Sequence, residues 1–121
     1  MYEKTNEENL SEIKEEINLN EPVELTDESI EDFRKKGGSI VLFYMPNSKA
    51  SLIQEDLLRN IFEEFKEKIS FGLVNVYDNQ EFAIKNGISS FPATMYSKDN
   101  ETVDVKFGVQ DQIEPSIIEI I

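Results

Sequence analysis

Every residue from Ile40 to Met45 is apolar: Ile-Val-Leu-Phe-Tyr-Met. A short run rich in β-branched and aromatic residues, bounded by turn signals, predicts a strand buried on both faces. Gly37-Gly38 closes it on one side and Pro46-Asn47 on the other. Ser48-Lys49-Ala50-Ser51 then opens a helical pattern reaching about Lys68, with Leu52, Leu58, Ile61, Phe62 and Phe65 at helical spacing. The central strand therefore hands the chain directly to a helix N-terminus, the place where open α/β sheets build their sites.

The same patterning assigns the rest. Val23 to Leu25 reads as a short first strand. Thr26-Asp27 supplies a helix cap, Ile30 and Phe33 a buried stripe, and Gly37-Gly38 a stop. Ile69 to Val76 is a second central strand. Asp78-Asn79 can cap a short helix carrying Phe82 and Ile84, which ends at Asn86-Gly87. Phe91-Pro92 interrupts the backbone before two strands, Ala93 to Tyr96 and Val103 to Phe107. Lys98-Asp99-Asn100-Glu101 between them is turn chemistry, which makes them an antiparallel hairpin. A last helix holds Ile113, Ile117, Ile118 and Ile121, with Pro115 acceptable only in its first turn. The order β-α-β-α-β-α-β-β-α predicts an α/β fold, a central mixed sheet with helices on both faces.

Residues 1 to 21 form a separate acidic leader, expected to be partly helical or disordered. Leu10, Ile13 and Ile17 lie on one narrow helical stripe that suits a partner or a self-contact. Residues 22 to 121 form the domain proper.

Composition narrows the chemistry. The net charge is -13, from 12 basic and 25 acidic residues, which disfavours a phosphate-neutralising surface for nucleic acid. There is no apolar run of the roughly 20 residues a membrane span needs, and no signal-peptide pattern, so the expected location is cytoplasmic. The chain has no cysteine and no histidine. Thiol redox chemistry, thiolate metal sites, and the commonest general base and metal ligand are all absent with them. No calcium-loop spacing is present, and neither a metal nor any other cofactor is expected.

At Phe43 to Ser51, and again at Phe91-Pro92, the sequence resembles the thioredoxin family. The resemblance extends from Val23 to Ile121. It includes the aromatic pair Phe43-Tyr44 ending the central strand, Gly87-Ile88 ahead of the proline loop, and Gly108 closing the last strand. It implies a thioredoxin-like fold and a cis peptide at Pro92. The family's Cys-x-x-Cys falls on Ser48 and Ser51, its buried aspartate on Leu42, its lysine on Leu73 and its tryptophan on Asn47. A serine hydroxyl forms no disulfide, so the chain as written cannot carry electrons by that route.

Two function classes follow. One is a thioredoxin-like protein without the redox cysteines, a non-catalytic module binding a protein or extended peptide. The resemblance implies a groove for it beside the proline loop, rimmed by Asn47, Val76, Phe91, Pro92, Gly108 and Val109. The other is a thiol-disulfide oxidoreductase of cell redox homeostasis, a protein-disulfide reductase in which Ser48 and Ser51 replace native cysteines. A serine nucleophile served by Lys49 or Lys85 lacks an orienting third group and an oxyanion motif. The two serines are read instead as helix-start residues.

Overall fold

A computed structural model describes residues 21–121; the stripe of Leu10, Ile13 and Ile17 lies outside the described residues. The elements run β1 (Val23–Leu25), α1 (Ile30–Arg34), β2 (Gly38–Tyr44), α2 (Lys49–Phe65), β3 (Ile69–Asn75), α3 (Glu81–Lys85), β4 (Ala93–Lys98), β5 (Glu101–Phe107) and α4 (Glu114–Ile118). The sheet order is β1-β3-β2-β4-β5. β3 is parallel to both β1 and β2, whereas β4 runs antiparallel to β2 and pairs with β5 as a hairpin. Asp99 and Asn100 both have positive φ, 49° and 71°, the conformation a two-residue hairpin turn needs.

The apolar run of β2 divides by parity, because successive side chains leave a strand on opposite faces. Ile40 and Leu42 enter one core with Leu58, Phe62, Phe71, Leu73, Tyr96, Ile117 and Ile120. Val41 and Phe43 enter the other with Leu25, Ile30, Val74, Val76, Phe82 and Met95. In the first core Phe62 meets Phe71 edge-on at 5.2 Å; in the second Phe43 stacks on Phe82 at 6.0 Å. Helices α2 and α4 cover one face, and α1 and α3 the other. Close approach shapes the far end of β2: a Cβ at Gly38 would run into the carbonyl of Ile120.

Several sequence expectations need correction. The long helix ends at Phe65, with Lys66 as its C-cap, short of Lys68. Leu52 is exposed, and the stripe facing the sheet is Ser51, Gln54, Leu58, Phe62 and Phe65. Ile84 is exposed while Ala83 beside it is buried. In α4 and the turn after it, Ile120 is buried while Ile118 and Ile121 face solvent. Periodicity finds a stripe but not its edges, which misplaces Leu52 in the long helix, and it does not fix the phase at all in helices of a single turn or so. The cap of α3 is not Asp78 or Asn79. The Asp27 carboxylate, distant in sequence, accepts the N–H groups of Glu81 at 3.2 Å and Phe82 at 2.9 Å.

Candidate functional site

β2 ends at Tyr44, and Met45 to Ser48 turn the chain into α2. Ser48 is the N-cap, with extended φ and ψ of -91° and 123°; its Oγ accepts the Ser51 N–H at 3.2 Å. Ser51 is fully buried, and its Oγ accepts the Met45 N–H at 3.0 Å. The two hydroxyls thus bind the backbone of the loop that joins strand to helix. Truncating them separates the roles. Ser48→Ala should cost about 1 kcal/mol, an ordinary cap loss. Ser51→Ala should cost about 1–3 kcal/mol, because the Met45 N–H is left without its partner in a closed environment. Urea unfolding of both variants checks the order, and equal losses would refute it.

Across the loop the Phe91–Pro92 peptide is cis. Pro92 is buried, Phe91 half-buried, and the Pro92 carbonyl accepts the Gly108 N–H at 2.8 Å. Gly108 has φ of 81°, a conformation that suits glycine. A residue the sequence reading missed holds the following segment. Gln54, fully buried on α2, donates from Nε2 to the Gln110 carbonyl at 3.3 Å and accepts the Gln110 N–H at Oε1. The signal was present: Gln54 lies on the apolar stripe, three residues after Ser51 and four before Leu58.

The apolar cavity at this end of the sheet has a volume of about 470 Å³. Met45, Val76, Ala83, Ile84, Ile88 and Phe91 contribute to its lining. Of the six predicted groove residues, Val76 and Phe91 line it, while Asn47, Pro92, Gly108 and Val109 do not. The concavity is therefore displaced from the serine loop toward α3. Asn47 and Val109 are exposed nearby in sequence to the two serines and Gly108.

The positions of the absent acid and amine are adjacent. Leu42 and Leu73 pair in the β2–β3 register, both are buried, and both belong to the same apolar core. Four titratable groups among the described residues are displaced from their ordinary values, and one of them, Tyr96, shares the core of Leu42 and Leu73. Burial holds the Tyr44 phenol far above its usual range, reinforced by its 2.9 Å hydrogen bond to Glu24. Burial also raises Glu24, against the opposing effect of that bond. Burial pushes Tyr96 up to about 12. Burial lowers Arg34, whose guanidinium donates to Ser97 Oγ and Thr102 Oγ1 and lies 5.4 Å from the Phe82 ring centre. Among the described residues, no group of three His, Cys, Asp or Glu is placed to hold a metal, and no helix is long and apolar enough to cross a membrane.

Comparison with known proteins identifies this architecture as a known fold. No family model matches the chain. A thioredoxin of Bacillus subtilis is 28% identical over 86 residues, covering 71% of this chain and 83% of the relative. A thioredoxin of Buchnera aphidicola is 26% identical over 98 residues, covering 79% and 91%. Among solved structures, a Malassezia sympodialis thioredoxin superposes with a TM-score of 0.76 at 13% identity, covering 83% of this chain and 90% of its own. Mitochondrial thioredoxin 3 of Saccharomyces cerevisiae superposes at 0.75 and 13% identity, covering 85% and 99%. The fold is the thioredoxin fold. The chain is similar to thioredoxins over most of its length, and Ser48 and Ser51 stand where the resemblance places a Cys-x-x-Cys.

Proposed function

We propose that this chain is a redox-silent thioredoxin-like module that binds an extended polypeptide segment beside the Phe91–Pro92 loop. The observation that carries the reading is the apolar cavity lined by Val76, Ile84, Ile88 and Phe91, which reaches the serine loop only at Met45, while the two hydroxyls of that loop accept backbone N–H groups. Concave apolar surface flanked by an exposed backbone loop suits an extended ligand, with an apolar side chain inserted and main-chain groups paired. Leu42 and Leu73 fill the places that the resemblance gives to an acid and an amine, and neither can handle a proton.

Amide spectra of the full chain test this. Adding an unfolded, reduced polypeptide should shift resonances clustered at Ser48, Val76, Phe91 and Gly108. Ile84→Glu places a charge at the exposed edge of the cavity and should weaken binding at least about tenfold. Shifts confined to residues 1–20, or affinity unchanged by Ile84→Glu, would remove the groove from the proposal.

A second reading, thiol-disulfide exchange by native cysteines at positions 48 and 51, is favoured by the two thioredoxin relatives. Serine codons in the natural gene eliminate it; cysteine codons at both positions replace the binding module with a reductase.

A further inference from the structure

β5 is the last strand of the sheet, and among the described residues nothing pairs with its outer side. It is seven residues long, and its apolar residues Val103 and Phe107 are 46% and 50% exposed. A long edge with exposed apolar side chains is a template for another strand. The bond from the Gly108 N–H to the Pro92 carbonyl fixes the phase of the ladder. Antiparallel pairs alternate between those that exchange hydrogen bonds and those that do not. Gly108 and Pro92 occupy a hydrogen-bonded position, with the single bond that proline's missing N–H allows, so Lys106 with Thr94 and Asp104 with Tyr96 are the exchanging pairs that follow in phase. The backbone groups of Val105 and Phe107 therefore point away from β4, toward solvent.

That phase restricts how two copies of β5 can meet antiparallel, because the outward-pointing residues must face one another. Centred on residue 104, the pairing sets Asp104 against Asp104. Centred on 106, it sets Lys106 against Lys106. Centred on Val105, it sets Asp104 against Lys106 twice, in non-hydrogen-bonded positions where side chains approach most closely. The same register places Phe107 opposite Val103 on both sides of the axis and Val105 against itself. Val103 is the bulged residue of the β4–β5 ladder, so the regular part of the contact is Asp104 to Phe107. We propose that two copies of this chain pair through β5 in this register, forming a twofold dimer with one sheet running across both. The contact is isologous, as twofold symmetry requires.

Sedimentation equilibrium of the full chain tests it, with thermal melts as a folding control. The chain should show a concentration-dependent dimer. Asp104→Lys should raise the dissociation constant at least about tenfold, by facing lysine with lysine. That variant is less negative overall, so general charge repulsion alone would strengthen association instead. Adding Lys106→Asp inverts both pairs and should restore the dimer. Val105→Pro removes an outward amide that β4 does not use and should give a folded monomer. A dimer insensitive to Asp104→Lys would overturn the register. A monomer at every concentration up to about 1 mM would overturn the dimer, and protection of the Val105 amide in that monomer would assign the edge to residues 1–20.

Discussion

Leu42→Asp should destabilise the folded chain by about 3–5 kcal/mol at neutral pH, the scale of an uncompensated buried charge. Leu42 is fully buried, flanked in register by Leu73 on β3 and Thr94 on β4. The new carboxyl would meet leucine and aromatic side chains where an acid needs water or a cation. Desolvation raises its pKa in the folded state above the ordinary value of about 3.9, which it keeps when unfolded. The unfolded chain thus releases the proton first as pH rises. The charge-dependent part of the cost is absent below about pH 4, grows through the interval up to the folded pKa, and then levels off. Urea unfolding at about pH 5 and about pH 8 should show the gap to the parent chain widening. Leu42→Asn should show a loss that does not change over that interval. If the two variants behave alike, the site admits water and is not a sealed core.

Restoring both thiols should create chemistry without creating a good enzyme. The parent chain should reduce no disulfide. In the double variant Ser48→Cys, Ser51→Cys, the half-buried position 48 offers its thiolate at a helix N-terminus, and the buried position 51 resolves the mixed disulfide. The pair is oxidised to a disulfide as the substrate disulfide is reduced to two thiols. With the pair reduced beforehand, this single turnover should be slow, because Leu42 and Leu73 can neither take up nor return the proton. Adding Leu42→Asp should raise the rate about a hundredfold, the lower end of what a placed acid or base contributes. The same rate with and without that substitution would show that proton handling is not the limit. Thiol release from a peptide disulfide measures all of it.

Position 42 also shows how far the sequence could be read. The run Ile40 to Met45 located the central strand because a strand buried on both faces has no polar alternation to obscure it. The resemblance at Phe43 to Ser51 and Phe91-Pro92 supplied the fold, and the structure adds that Leu42 and Leu73 touch the same core. The serines were legible as helix-start residues, since a cap is a local interaction within four residues. Which backbone group each serves was not. Ser51 binds Met45 through the turn, and that depends on the loop path. The cap of α3 was misplaced for the same reason: Asp27 reaches it from another element, with no local signature. The groove was named from six positions, but the cavity takes only Val76 and Phe91 of them and opens toward Ile84 and Ile88. Spacing placed Ile84 on the short helix without fixing its facing, and it is exposed because α3 is barely one turn long and presents Phe82 and Ala83 inward.

The sequence by itself therefore determined the order of elements, the central strand, the hairpin and the absence of thiols and imidazoles, because these follow from periodicity, turn chemistry and composition. Only the tertiary structure decided which sides of the short helices face the core, which hydroxyls hold the Ser48–Ser51 loop, that Gln54 ties α2 to the segment after β5, and where the apolar cavity lies. The serine contacts depend on the path of one turn, and the others join residues far apart in the chain. They exist only when the sheet brings Met45, Val76, Ile88 and Phe91 to one end.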